Sequence, residues 1–135
     1  MDSSRQRVAI VTGASRRGAI GAAICRALAA DGHPIAFTHW SPYDREMAWG
    51  ADDDGPAVLE REIATLGVRV ISIEADLTQP ESVVAILDAA GRLGQPSILV
   101  NNATYSTDDG YLALDAATLD AHYAVNLRGT ALLSV

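Results

Sequence analysis

A glycine-rich turn between two segments of different character constrains the fold more than any other feature of the chain. The stretch VTGASRRGAIGAAI, residues 11–24, carries Gly13, Gly18 and Gly21 directly after a short apolar run. Such a run is typical of a strand covered on both faces, whereas apolar residues recur at helical spacing from Ile20 onwards. Glycine allows positive φ and close approach of a ligand, and free N–H groups at a helix start attract anions. The pattern predicts a strand, a tight turn and a helix that together bind a phosphate.

The rest of the chain repeats this alternation of strand and helix. The predicted segments are a strand at 34–40, a helix from about Pro56 to Leu66, an edge strand at 68–77, a helix at 82–90, a strand at 97–103 and a helix from about Thr118. Alternating elements of this kind predict an α/β fold, with a doubly wound parallel sheet in three α/β/α layers and strand order 3-2-1-4.

Three details of this prediction concern the connections. Residues 41–55 are expected to be irregular. Within them, residues 52–54 are consecutive aspartates and predict a solvated cap for the next helix. Thr78 and Glu81 have the spacing of a capping box before the helix at 82–90.

Composition bounds the class of protein. The 135 residues are 49% apolar and 20% charged, which is typical of one globular domain spanning residues 1–135. No apolar run is long enough to span a bilayer, and the single Cys25 excludes an internal disulfide, so we expect a cytoplasmic protein without a membrane partner. A net charge of −7 disfavours nucleic-acid binding. The histidines lack metal-ligand spacing, and we expect no metal.

Two other motifs that place glycines at a strand-to-helix turn are excluded. A P-loop requires Gly-Lys-Ser/Thr, and the ten basic residues of this chain are all arginine. A serine nucleophile elbow requires glycine two residues after the serine, where this chain has Arg17 after Ser15.

Four short motifs together resemble the short-chain dehydrogenase/reductase family over nearly the whole chain. They are TGASRRGAIG at 12–21, Asp76 with Leu77, the NNA sequence at 101–103, and Val125 with Asn126. The resemblance implies the NAD(P)-binding Rossmann-type fold and an oxidoreductase that transfers hydride between NADPH and a carbonyl or alcohol substrate. It also implies that Asp76 and Leu77 contact adenine and that Asn126 is the catalytic, active-site asparagine.

The glycine motif departs from the family pattern. It is two residues longer than usual, which resembles a ketoacyl-reductase-like subgroup and also the divergent enoyl reductases; the NNA sequence favours the former. Thr104 replaces the usual glycine after NNA, which alters the predicted contact beneath the nicotinamide ribose.

The family's proton-transfer motif is missing. In the family a tyrosine exchanges a proton with the substrate oxygen, and a lysine four residues later lowers its pKa. A chain without lysine cannot contain Tyr-x-x-x-Lys. The chain also ends within an apolar helical pattern, so we expect the first, cofactor-binding half of a truncated reductase, inactive alone. The resemblance implies a homo-oligomeric parent, a dimer or tetramer, assembled partly through the helix of Asn126.

The cofactor prediction is NADP, with NAD as the open alternative. The tip of the second strand, residues 38–41, has no acid to hold ribose hydroxyls, and Asp44 is the first one after it. Arg16 and Arg17 lie in the turn that would face a 2′-phosphate. The predicted cofactor-binding residues are Gly13, Ser15, Arg16, Arg17, Gly18, Ile20, Gly21, Trp40, Ser41, Asp76, Leu77, Asn102, Ala103 and Thr104.

Two alternatives to a reductase remain: a dinucleotide-binding module without chemistry, and a purely structural α/β domain. Continuation of the reading frame into a Tyr-x-x-x-Lys motif would favour the reductase. The apolar residues between Trp40 and Trp49 either cover the adenosine or bind a partner subunit.

Overall fold

A four-stranded parallel sheet forms the centre of the computed structural model, which describes residues 6–135. The strands lie in the order β3-β2-β1-β4, as the alternation predicted. The elements are β1 (Arg7–Val11), α1 (Ile20–Ala30), β2 (Ile35–His39), α2 (Ser41–Glu46), α3 (Gly55–Thr65), β3 (Val70–Glu74), α4 (Glu81–Gly91), β4 (Gln95–Val100), α5 (Ala116–His122), a π-helical turn (Tyr123–Gly129) and α6 (Thr130–Ser134). A short 3-10 turn, Tyr111–Ala113, precedes α5.

The central strand β1 contributes to a hydrophobic core on each face of the sheet. Ala9 and Val11 pack with residues of α1 and α3, whereas Val8 and Ile10 pack with residues of α4 and α6. All four side chains are at most 2% exposed, because helices cover both faces. This arrangement confirms the α/β/α layers and explains why the strand is apolar without alternation.

The strands β3 and β2 each have a feature that the sequence predicted. The first four residues of β3 are only half-buried, which agrees with its place at one edge of the sheet. Pro34 stands just before β2, where its missing N–H costs no ladder bond, and its carbonyl accepts the N–H of Ala9 at 2.9 Å.

The segment 41–55 is not wholly irregular, because Ser41–Glu46 forms α2. The helix is short and has no apolar repeat, so its sequence gives no periodic signal. Tertiary contacts support it instead. The hydroxyl of Tyr43 donates to the carbonyl of Ser106 at 3.3 Å and accepts the Ser106 N–H at 3.1 Å.

The capping box predicted at Thr78 and Glu81 is wrong. The N-cap of α4 is Pro80, which makes no side-chain cap. Thr78 instead donates its N–H and its hydroxyl to Oδ1 of Asp76, at 2.9 and 2.7 Å. The preceding aspartate therefore takes the hydroxyl that would have capped the helix.

The last helical region begins slightly earlier than predicted. Asp115 caps α5 by accepting the N–H of Thr118 at 2.8 Å, so Thr118 lies in the first turn and does not start the helix. The π-helical turn Tyr123–Gly129 then follows without a break and carries Asn126.

Candidate functional site

A cavity of about 630 Å³ opens at the carboxyl ends of the four strands. This volume lies within the roughly 300–1,000 Å³ of small-molecule and cofactor sites. Twelve of the predicted cofactor-binding residues line it: Gly13, Ser15, Arg16, Gly18, Ile20, Gly21, Trp40, Asp76, Leu77, Asn102, Ala103 and Thr104. Arg17, Ser41 and Asn126 are not among the lining residues.

Two glycines of the turn are required by close packing. Gly13 has φ +76°, and a Cβ there would lie 2.7 Å from the Cα of Ala103. A Cβ on Gly21 would lie 2.6 Å from the carbonyl oxygen of Gly13. At Gly18, in contrast, nothing lies within 4 Å of an added Cβ. The cavity therefore begins where the backbone of Gly18 is uncovered.

The amino end of α1 presents backbone donors at this cavity. Ala19 provides no side-chain cap. Among residues 6–135, the N–H groups of Ser15, Gly18, Ile20 and Gly21 have no acceptor in the protein. These amides and the positive end of the helix dipole form a site that favours an anion.

The turn is held to the sheet by hydroxyl and amide side chains. Thr12 is 1% exposed, and its hydroxyl accepts the N–H groups of Asn102 and Ala103 at 3.1 and 3.0 Å. The side-chain amide of Asn102 donates to the carbonyls of Thr12 and Gly13, at 3.1 and 3.0 Å. Asn102 thus fixes the turn as well as lining the cavity. Asn101, in contrast, is exposed, and its side-chain amide donates to the hydroxyl of Ser134 at 3.3 Å.

The tip of β2 is joined to the same turn. Thr38 accepts the Gly13 N–H on its hydroxyl at 3.1 Å, and Ser15 accepts the Trp40 N–H at 3.1 Å. Sequence reasoning missed Thr12 and Thr38, although a buried threonine at each of two neighbouring strand ends is a signal for such a connection. These bonds leave little freedom to the backbone that would face a phosphate.

The two arginines of the turn have different surroundings. Arg17 forms an ion pair with Asp52, with 2.9 Å between Nε and Oδ2. Its hydrogen bond holds the pKa of the Asp52 carboxyl below the usual value. The Asp52 carboxylate is thus paired with an arginine. The predicted role of residues 52–54 as a solvated cap is wrong, because the N-cap Asp54 makes no side-chain capping hydrogen bond.

Arg16 faces the cavity. Its guanidinium carbon lies 4.7 Å from the ring centroid of Trp49, and its Nε lies 3.8 Å from Oδ1 of Asp44. Asp44 is only 7% exposed and accepts the indole N–H of Trp49 at 2.9 Å. Both acidic and basic groups therefore reach this end of the cavity.

Asn126 contacts the loop after β4 from the π-helical turn. Its Oδ1 accepts the N–H of Tyr105 at 2.8 Å, and its Nδ2 donates to the carbonyl of Tyr105 at 2.8 Å. The hydroxyl of Thr104 also donates to Oδ1 at 3.1 Å. The side chain of Asn126 therefore holds one wall of the cavity through the backbone of Tyr105.

The residues present fit a nicotinamide dinucleotide. The uncapped amides and the uncovered Gly18 provide a cradle for a diphosphate, and Arg16 provides a cation at one side of it. Oδ1 of Asp76 is oriented by two donors from Thr78, while the residue itself lines the cavity. In residues 6–135 we find no cluster of metal-ligating side chains. Over the same residues, no helix has the length and apolar character needed to cross a membrane.

Comparison with known proteins identifies the family. The family model described as short chain dehydrogenase matches residues 7–135. The oxidoreductase YjdA of Bacillus subtilis is 43% identical over 136 residues, covering 100% of this chain and 51% of that protein. The 3-oxoacyl-[acyl-carrier-protein] reductase of Staphylococcus epidermidis is 30% identical over 122 residues, covering 90% of this chain and 45% of that protein.

A solved structure agrees with these matches. The short chain dehydrogenase from Burkholderia cenocepacia, determined in complex with NADP, has a TM-score of 0.75 and 32% identity, with 98% of this chain and 50% of that chain covered. The chain spans about half the length of the curated relatives it matches. The strand order, the glycine turn and these matches agree, and the chain belongs to the short-chain dehydrogenase family.

Proposed function

We propose that the cavity binds NADP(H) and that the whole protein transfers hydride between NADPH and a carbonyl or alcohol substrate. The observation that carries this proposal is the row of unpaired amides at the start of α1, beside Arg16 in the same cavity. Backbone donors without acceptors are costly unless water or a ligand satisfies them, and a diphosphate supplies the required oxygens.

Arg16 supports NADP over NAD. It lines the cavity, whereas Arg17 is bound to Asp52 and would have to leave that ion pair to reach a nucleotide. Arginine binds phosphate through a planar set of donors and stays charged at all relevant pH values. We therefore assign the contact with the 2′-phosphate to Arg16, with Trp40, which follows β2 and lines the cavity, beside the adenosine ribose.

The residues around the nicotinamide end of the cavity would orient the cofactor and would not transfer protons. The nicotinamide, when bound, supplies or accepts the hydride. Asn102, Ala103 and Thr104 would line its ribose, and Asn126 would act as a positioning residue through the Tyr105 backbone. No lysine occurs among the 135 residues, so the tyrosine and lysine that tune proton transfer are not part of this stretch. We expect the chain alone to bind nucleotide with little or no turnover.

The substrate class is a separate proposal. The NNA sequence is the reason to test a 3-ketoacyl-like carbonyl first in the whole protein, and the 3-oxoacyl-[acyl-carrier-protein] reductase is one of several oxidoreductases to which the chain is similar. We further propose a cytoplasmic homo-oligomer, in which the exposed Tyr123 and Leu127 beside Asn126 contact another subunit.

A nucleotide-binding module without chemistry is the second candidate, favoured by the absence of lysine. The reductase and the binding module differ in catalytic activity, and only the whole protein can show that difference. Hydride transfer from NADPH to an added 3-ketoacyl thioester, followed at 340 nm in a chain extended along the reading frame, would exclude the module.

Calorimetric titration of the 135-residue chain with NADPH tests the binding proposal. The wild-type chain should bind NADPH saturably, and Gly18→Val should abolish binding without loss of folding, because its side chain enters only the cavity. Gly13→Val should lose both binding and stability. Arg16→Gln should weaken NADPH binding at least tenfold and leave NADH nearly unchanged, since hydrogen bonds to charged groups contribute about 1.5–3 kcal/mol.

Circular dichroism melts of each variant provide the folding control. Absence of saturable binding in the folded wild-type chain would refute the proposal and favour a purely structural domain. Equal losses for NADPH and NADH in Arg16→Gln would refute the assignment of Arg16 to the 2′-phosphate.

A further inference from the structure

The indole ring of Trp49 faces the guanidinium group of Arg16, and the sequence left the role of Trp49 open between covering the adenosine and binding a partner subunit. The guanidinium carbon of Arg16 lies 4.7 Å from the centroid of the indole ring. Both residues line the cavity, yet they are separated in the sequence by α1, β2 and α2. The segment after β2 therefore reaches back to touch the glycine turn.

The indole itself is fixed on its other side. Its Nε1 donates to Oδ1 of the buried Asp44 at 2.9 Å, and its ring lies 6.3 Å from that of Tyr43. Tyr43 is in turn bonded to Ser106 across the cavity. Asp44 and the ring of Tyr43 therefore hold Trp49 in place, and the indole face is turned towards Arg16.

A long arginine side chain needs such support to face one ligand oxygen. The Arg16 side chain is 37% exposed, so water competes for its donors and several rotamers are open to it. Tryptophan offers the best aromatic face for a guanidinium. Asp44 also attracts Arg16, but at 3.8 Å it makes no hydrogen bond. The ring and the carboxylate therefore both hold Arg16 at this end of the cavity, and only the ring covers a face of the guanidinium.

We propose that Trp49 is a positioning residue for Arg16 and thereby sets the preference of the cavity for NADPH over NADH. This inference rests on the proposed binding of a dinucleotide and names a determinant of its phosphate selectivity. The ring would keep the guanidinium beside the adenosine ribose, whose 2′-phosphate distinguishes NADPH from NADH. Trp49 would have no contact of its own with that phosphate.

The test compares NADPH and NADH dissociation constants in variants of Trp49. Trp49→Leu keeps an apolar side chain but removes the aromatic face, and it should raise the NADPH dissociation constant about threefold to tenfold while changing that of NADH by less than twofold. Trp49→Phe keeps a face and loses the bond to Asp44, so it should restore most of the NADPH affinity. Tyr111→Leu is a matched control, because Tyr111 is 84% exposed and does not line the cavity.

A double-mutant cycle with Arg16→Gln separates positioning from general damage. In the Arg16→Gln background, Trp49→Leu should have no further effect on the ratio of the two constants. An undiminished effect there, or an equal loss of NADPH and NADH in Trp49→Leu, would overturn the inference. A wild-type chain that binds neither nucleotide refutes the proposed function itself, whereas binding of both with an unchanged ratio in Trp49→Leu refutes the role of Trp49 alone.

Discussion

At the scale of single residues, the glycines of one turn differ in what a methyl group would meet. Gly13 has positive φ and backbone atoms within 3 Å of an added Cβ, and Gly21 faces the carbonyl of Gly13 at 2.6 Å. Gly18 has neither constraint, although it lines the same cavity. Two of these glycines therefore serve packing, and the third is available to a ligand.

Alanine substitutions should separate these two roles. Gly13→Ala and Gly21→Ala should each lower the free energy of unfolding by roughly 1–3 kcal/mol, because backbone cannot move aside for a methyl group. Gly18→Ala should leave stability within about 0.5 kcal/mol of the wild type and still weaken NADPH binding. Urea unfolding measures the first effect and calorimetry the second. A destabilised Gly18→Ala chain would contradict the uncovered geometry of that turn.

His39, at the end of β2, gives the stability a pH dependence. Its Nδ1 is buried and finds no hydrogen-bond partner among the described residues. Burial lowers the pKa of the imidazole, and the carboxylates of Glu74 and Glu60 only partly oppose this shift. The folded chain therefore keeps a neutral imidazole at a pH where the unfolded chain, with a pKa near 6.5, already binds a proton.

The sign of the effect follows from that lowered pKa. The stabilisation is present above about pH 6.5 and is lost as the pH falls through the folded-state pKa. His39→Gln should flatten the decline in unfolding free energy as the pH falls below about 6.5. Urea melts of both chains across this range would show it, and identical slopes would mean that His39 does not carry the dependence.

At the scale of elements, α1 combines the uncapped amides at its start with a buried thiol in its middle. Cys25 is fully buried against the sheet, and burial raises the pKa of its thiol to about 12. Because the thiol stays protonated in the folded chain, its contribution to stability is complete below the unfolded pKa of about 8.5 and is lost as the pH rises towards that higher value.

The thiol should be inert in the folded chain. At pH 8, iodoacetamide should label Cys25 at least about a hundredfold more slowly in buffer than in urea, since the thiolate is the nucleophile and the site is closed. The sequence has one cysteine, so the mass shift reports this site alone. Rapid labelling in buffer would show that α1 opens readily from the sheet.

The π-helical turn should hold the loop after β4 through Asn126. Asn126→Ala removes both hydrogen bonds to the Tyr105 backbone and should speed hydrogen exchange of the Tyr105 amide by roughly fivefold, which corresponds to about 1 kcal/mol. Asn126→Asp keeps the acceptor for that amide and should retain most of the protection. Unchanged exchange in Asn126→Ala would place the support of this loop elsewhere.

The elements found from the sequence and those missed differ in a physical property. The strands and the helices α1, α3 and α4 bury continuous or periodic apolar residues, so their patterns were visible. Helix α2 depends on the contact from Tyr43 to Ser106, 63 positions away, which local sequence does not encode. The ion pair of Arg17 with Asp52 joins residues 35 positions apart and was missed for the same reason.

At the scale of the whole molecule, the strand order was predictable because right-handed crossovers leave few topologies for alternating elements. That order brings the carboxyl ends of all four parallel strands to one edge of the sheet, so twelve predicted residues meet in one cavity. The threonines at the ends of β1 and β2 were a visible signal, but the backbone groups that their hydroxyls bond depend on the register between neighbouring strands.

The proposed homo-oligomer can be tested on the whole protein. Leu119, Tyr123 and Leu127 are each more than half exposed along the last helical region. If they form a subunit contact, light scattering should show a mass above that of one chain, and Tyr123→Glu with Leu127→Glu should reduce it to the monomer. A monomeric wild-type whole protein would contradict this assembly.

The aromatic lining of the cavity has a practical consequence. Trp40 and Trp49 both border it, and the sequence contains two tryptophans. Both indoles of this chain thus emit from the wall of the cavity proposed to hold NADPH, whose reduced nicotinamide absorbs in the same spectral region. Addition of NADPH should quench nearly all of the intrinsic emission, and the chain would serve as its own optical sensor.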